Sequence, residues 1–444
     1  MEIEISGLIV PLIFLSFVSS IALIVVIRFP PCILLANVAF SAITKNTSNV
    51  FLDLNSVYLF ETAINSGTSL SSIRQLAYNS VILGSACLIL RVSLGPFSSF
   101  RSLVFKAPQK LRQFSLLLAA GLVLLQLLNV VSSPGTPAFP GGVPRQAFWT
   151  HSIRIPILRD FLGQLMVFVP AVVSYCAAIA YVERLRREML QSIAVGIIYF
   201  SFLIISGQKL NGILVGAFFL SGPFYIITKT YSIRFVGMRK GMLSIRYPAL
   251  LVVLATPLVI FFSVLGFAER GISIDRGGAL NGILYRAFAM QGAVYYTEDK
   301  IAHNLDGKSA GVSIVNDDME SLIRLVVPAN LAESYIYSGV NLAGSLPGTA
   351  ILVGGYWLAV PICLIYGIIL GAVSSIVGWA IRSGRVLHLF TISYLQLWVI
   401  SAYGRGSLAP ILTIEFAGFV VLTAVLEMAV LVKRRRVDVV DRLR

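Results

Sequence analysis

Long apolar runs alternate with short polar connections along this chain. Eleven of the runs are each about long enough to cross a hydrocarbon core of roughly 30 Å. They fall near 6–27, 30–45, 75–95, 113–132, 161–182, 189–206, 210–230, 247–268, 348–380, 386–402 and 408–432. The second opens on Pro30-Pro31, which suits a helix N-terminus. The ninth is unusually long, and the expectation is a helix that starts above the membrane. Between Gly266 and Pro347 the apolar pattern stops and an acid- and base-rich segment takes over. Runs of this length do not alternate apolar and polar residues, so helices are predicted and not an outer-membrane barrel. The predicted fold is an all-α polytopic membrane helix bundle with about eleven transmembrane helices and one large outer loop. It divides into 1–268 (eight helices with short loops), 269–347 (the loop) and 348–444 (three helices and a basic tail).

Composition agrees with that class: 57% of the 444 residues are apolar, 12% are charged, and mean hydropathy is +0.86. Cys32, Cys87, Cys176 and Cys363 all fall in apolar runs and read as small core residues, with neither a disulfide framework nor a metal cluster. The first run lacks a small-residue cleavage site and reads as a retained helix. On a soluble protein a net charge of +15 would suggest nucleic acid; here it is topogenic. Lys433-Arg434-Arg435-Arg436 follows the last apolar run and places the C-terminus inside. Counting back puts Arg101, Lys106, Arg112, Arg184, Arg186, Arg187, Arg382 and Arg385 inside. Most acids fall outside, among them Asp53, Glu298, Asp299, Asp306 and Glu333. The N-terminus is then outside.

Topogenic rules do not call for basic residues on the outer face, yet Arg159, Lys209, Arg286 and Arg405 sit there, three of them at span boundaries or in very short turns. Guanidinium binds phosphate oxygens in pairs and stays charged, so such residues suit a diphosphate held at the membrane surface. Snorkelling to lipid phosphate is the alternative for any one of them. Residues 281–300 read as a helix along the interface, with Ile283, Ala287, Met290 and Val294 on one face and Tyr295 and Tyr296 at headgroup level. His303 follows that helix. Glu333 precedes the ninth run, near Tyr335, Tyr337 and Asn341; Glu333 and His303 are the candidate bases. Glu415 and Glu427 lie in the last run, Glu427 near the basic tail. Gly367 and Gly371 suit close helix packing. Asn46-Thr47-Ser48 matches the N-glycosylation pattern. There is no metal-ligand spacing and no phosphate-binding glycine loop in a strand–helix context, so neither a metal nor a nucleotide cofactor is expected.

The layout and four short strings resemble bacterial O-antigen polymerases of the Wzy type, the oligosaccharide repeat-unit polymerases. Ser206-Gly207-Gln208-Lys209 before an apolar span is similar to a short turn of that family. Leu284-Tyr285-Arg286-Ala287-Phe288 is similar to its arginine-bearing amphipathic helix in the large periplasmic loop. Asn341 followed by Gly355-Tyr356-Trp357-Leu358-Ala359-Val360 resembles the span leaving that loop, and Ser401–Ser407 fits the last hairpin. The likeness covers roughly 200–425. The resemblance implies a glycosyltransferase of the bacterial inner membrane, with N-terminus periplasmic and C-terminus cytoplasmic. It would join undecaprenyl-diphosphate-linked oligosaccharides at the periplasmic face. An acceptor hydroxyl attacks the anomeric carbon and undecaprenyl diphosphate leaves. Arg159, Lys209, Arg286 and Arg405 would contact the diphosphate, and Trp149, Tyr295, Tyr296 and Asn341 the glycan. Expected partners are the lipid-linked oligosaccharide, membrane lipid and a chain-length regulator protein. The competing readings are a lipid-linked oligosaccharide flippase or other transporter, and an O-antigen ligase. The absence of repeated halves weighs against a transporter.

Overall fold

A computed structural model of the chain describes residues 5–60, 62–95, 106–136, 148–156, 162–206, 210–232, 284–306, 309–316, 319–337 and 344–442. Helices dominate. They are α1 (Ile9–Arg28), α2 (Ala36–Leu54), α3 (Ser71–Leu94), α4 (Gln109–Val131), α5 (Leu162–Glu183), α6 (Arg186–Ile205) and α7 (Leu210–Ser232), then α8 (Gln291–Asn304), α9 (Met319–Val326), α10 (Ala329–Tyr337), α11 (Leu346–Arg382), α12 (His388–Arg405) and α13 (Ile414–Arg442). A short antiparallel hairpin, β1 (Tyr58–Leu59) and β2 (Ile64–Asn65), follows α2.

Among the described residues, six helices are long and apolar enough to cross a membrane: α1, α3, α4, α6, Gly212–Tyr231 within α7, and α11. These make the chain a helical membrane protein. Only 6% of the α1 apolar window is buried, as expected for a helix solvated by lipid. The other expected runs are realised differently. The 30–45 run becomes a 3₁₀ turn, Pro30–Leu35, and then α2, whose second half is polar. The 161–182 run is α5, apolar from Val167 to Glu183. The last two runs are α12 and α13, and 247–268 lies outside the described residues.

Three helix ends share one closure. Arg184, Gly384 and Gly406 each take a left-handed φ of +59°, +70° and +71°. The next amide then bonds five residues back: Leu185 to the Ala180 carbonyl, Arg385 to Ala380, and Ser407 to Ala402. The expected long ninth helix is α11, 37 residues broken at Gly354–Gly355, where Gly355 has φ +71°. That break separates a first segment from the span proper. A Cβ on Gly371 would lie 2.7 Å from the Ala86 carbonyl oxygen, so the two-glycine face of α11 packs backbone to backbone on α3.

The chain divides into two compact units. The first comprises 1–93, 253–372 and 398–412; the second comprises 94–252, 373–397 and 413–444. In the second, Arg112 of α4 reaches Glu183 of α5 at 3.0 Å and Glu188 of α6 at 3.1 Å. It also donates to the Ala107 carbonyl at 2.7 Å. Glu427 pairs there with Arg385 and lies 3.6 Å from His388 Nε2; the side chains of the basic tail lie outside the described residues. In the first unit, Leu8, Phe51, Leu52, Val57, Leu59, Ala289, Ala293 and Tyr296 form an apolar cluster joining α2, the hairpin and α8. The segment read as a surface loop is therefore part of a core.

Candidate functional site

That first unit also holds a polar centre. Lys45-Asn46-Thr47-Ser48-Asn49 on α2 are buried in succession, so α2 is enclosed on every face at this level. The sequon Asn46-Thr47-Ser48 is thus closed to glycosylation in the folded chain. Lys45 Nζ donates to the Gly344 carbonyl and lies 5.5 Å from the Tyr403 ring centre. Opposite, α8 supplies two adjacent carboxylates, both 0% exposed. Asp299 is fully engaged. Arg74 Nη2 contacts Oδ2 at 2.5 Å, Arg74 Nε donates to Oδ1 at 2.8 Å, and Ser71 Oγ donates to Oδ2 at 2.6 Å.

Glu298 is different. Neither carboxyl oxygen accepts a hydrogen bond from any described residue. Burial pushes its pKa up from the ordinary 4.5 to about 8; the Lys45 charge pulls the other way and Asp299 adds to the rise. The carboxyl lies against the first turn of α11, where a Cβ on Gly348 would fall on Oε2. On α2, α3, α8 and at the start of α11, Ser345 Oγ, Thr349 Oγ1, the Tyr295 hydroxyl, both amide atoms of Asn46, Asn49 Oδ1, Gln75 Nε2 and Asn79 Nδ2 also lack partners among the described residues. Buried polar groups are ordinarily paired, so donors and acceptors gathered this densely mark a place built for polar chemistry.

A second device lies on the same helix pair. The turn leading into α8, Arg286–Met290, is a π-turn. The Ser48 hydroxyl is inserted in its hydrogen-bond ladder. Ser48 Oγ accepts from the Gly292 amide at 2.7 Å and donates to the Phe288 carbonyl at 2.8 Å, with the Ala289 carbonyl at 3.0 Å. A Cβ on Gly292 would sit 2.8 Å from Ser48 Oγ, so the close approach needs glycine there.

Some expected site residues lie on the same elements. Arg286 opens the π-turn, and Tyr295, Tyr296 and His303 share α8 with Glu298. The tyrosines are 2% exposed, not at a surface, and the Tyr296 hydroxyl donates to the Gly67 carbonyl at 2.8 Å. Apolar packing of α8 on α2 and the hairpin draws them in. His303 is exposed. Arg405 ends α12; its carbonyl would lie 3.8 Å from a Cβ on Gly344, and Glu298 Oε1 also 3.8 Å from it. Glu333 on α10 is exposed and paired with Arg324, away from any polar centre of its own. Trp149, in the second unit, is buried and donates to the Ser206 carbonyl at 3.3 Å. Arg159, Lys209 and Asn341 lie outside the described residues.

Lys45, Ser48, Arg74, Glu298 and Asp299 were not singled out as site residues from sequence. One signal could have found them: six polar residues in a row in the middle of α2, and an acidic pair directly after Ala293-Val294-Tyr295-Tyr296-Thr297.

Residues 315–420 match a family of unknown function, DUF6418. The match takes in Gly344, Gly348 and Thr349 of the polar centre, but neither Lys45 nor Glu298. No curated protein and no solved structure matches the chain.

Proposed function

We propose that this protein is a membrane glycosyltransferase that polymerises undecaprenyl-diphosphate-linked oligosaccharide repeat units at the periplasmic face of the bacterial inner membrane. The observation that carries the reading is the construction of the first unit. Its large polar segment is built into the helical core around a partner-poor polar centre, with the Arg286 turn and the Arg405 end of α12 both belonging to that unit. A transporter would be expected to line a central path with such groups and to keep its connections short.

In this reading Arg286 and Arg405 neutralise the charge that develops on the departing diphosphate. His303, exposed on α8, takes the proton of the acceptor hydroxyl; Glu333 is engaged by Arg324. The hydroxyl oxygen bonds to the anomeric carbon as the bond to the diphosphate oxygen breaks, so the chain grows at its lipid-linked end. Deleting the gene and running the surface polysaccharide on a gel tests this. A polymerase leaves one repeat unit capping the lipid core and no longer chains. Loss of the repeat unit altogether would point to a flippase or a ligase, and an unchanged ladder would remove the reading.

A further inference from the structure

We infer that Ser48 is a positioning residue for Arg286: its hydroxyl holds open the π-turn that sets the phase of Arg286 relative to the Glu298/Asp299 face of α8. The inference rests on the proposed diphosphate contact of Arg286.

In an α-helix the Gly292 amide would bond directly to the Phe288 carbonyl. Here a side chain from another helix stands between them, accepting from one and donating to the other. Both backbone groups are satisfied only because the hydroxyl is there; the site is closed, Ser48 being 0% exposed. A side chain inserted in this way is a recognised cause of helix irregularity, and single π-turns cluster at functional sites.

The consequence is geometric. A π-turn holds one more residue than an α-turn over the same rotation. If Ser48 loses its hydroxyl, two buried backbone groups are left to bond directly, and the segment is drawn toward α geometry. Arg286, the first residue of the turn, then rotates by about 100° relative to Glu298 and Asp299. Arg286 stays in the chain with its charge intact but no longer meets the same ligand atoms. Removing one residue from the turn while also removing the hydroxyl restores the original phase in plain α geometry.

The test uses the full chain in nanodiscs, with undecaprenyl diphosphate as the titrant and Arg286→Ala as the reference. Ser48→Ala is expected to weaken binding about tenfold, the loss of one charge-assisted contact, and Arg286→Ala to do the same. Deleting Ala287 in the Ser48→Ala background is expected to bring affinity back to within about twofold of wild type. A merely structural role for Ser48 would not produce that rescue. If Ser48→Ala fails to accumulate, Ser48→Cys, with its weaker donor, is expected to show a smaller loss in the same direction. Wild-type affinity in the serine variant, or a double variant no better than the single, overturns the inference. Wild-type affinity in Arg286→Ala instead overturns the diphosphate reading itself, whatever the serine variants do.

Discussion

The carboxyl of Glu298 fills the space that a Cβ on Gly348 would take, where α8 meets the first turn of α11. A methyl group at 348 would have to share that space. A glutamate is flexible, but at 0% exposure this one has no free volume into which to swing. Gly348→Ala is therefore expected to destabilise by about 1–3 kcal/mol through overpacking. In a Glu298→Ala background the same substitution should instead stabilise by up to about 1 kcal/mol, because alanine is the better helix former. Thermal unfolding in detergent reads both. Equal effects in the two backgrounds would mean that the two residues are not in contact.

The same carboxyl should make stability depend on pH, and the sign follows from its raised pKa of about 8 against an ordinary 4.5. Below pH 4.5 folded and unfolded chains both hold the proton, and pH has no effect through this group. Between 4.5 and 8 the unfolded chain has released it while the fold retains it, so stability falls as pH rises. Above 8 the loss is complete and level. The groups that face it set the window: Lys45 holds the pKa down and Asp299 pushes it up. Glu298→Gln should abolish this component. Wild type is expected to lose ground to Glu298→Gln between pH 5 and 8.5, and a constant difference across that range would refute it.

Much of the helical pattern was legible because apolar runs of spanning length permit few other structures. The ends of α5, α11 and α12 fell close to their expected places, as did the close packing of Gly371. The polar centre was not legible, and α2 explains why. From Pro30 to Lys45 it reads as a weak span, and from Asn46 onward as an outer loop. It is one continuous helix whose polar half is enclosed by α3, α8 and α11. Enclosure on that scale depends on contacts between residues some 240 apart, such as Ser48 with Phe288 and Gly292. Local periodicity carries no trace of them. The charge ledger likewise counted Asp53, Glu298 and Asp299 as loop acids. Each is buried, because Ser69 and Ser72 satisfy Asp53, Arg74 satisfies Asp299, and Lys45 stands near Glu298.

Arg74 and Asp299 should behave as a coupled pair. Removing the arginine leaves a buried carboxylate with only Ser71 as donor among the described residues. The expected cost of Arg74→Ala is about 3 kcal/mol, at the low end of the range for broken buried pairs because the Arg74 side chain is 29% exposed. Once Asp299 is already asparagine, Arg74→Ala should cost much less. A double-mutant cycle measures the coupling, and strict additivity would show that the pair contributes nothing.

Arg112 and Arg286 contrast a charge held by the fold with the charge that the proposed function assigns to a site. The Arg112 side chain is 5% exposed and held by Glu183, Glu188 and the Ala107 carbonyl, so all of its directed donors serve the fold. Arg112→Ala strands Glu188 and leaves Glu183 to Lys106 alone, and is expected to cost about 3–5 kcal/mol. Arg112→Lys should recover only part, since an ammonium cannot reproduce the planar fork that meets three acceptors at once. In cells both variants should lower the amount of protein while leaving the chain length made by each surviving molecule unchanged. Arg286→Ala should do the reverse: normal accumulation in the membrane, and a polysaccharide that stops at one repeat unit. Protein amount is read by immunoblot and chain length by gel on the same cultures. If Arg286→Ala fails by losing protein as Arg112→Ala does, its charge belongs to the scaffold and the proposed diphosphate site loses its central residue.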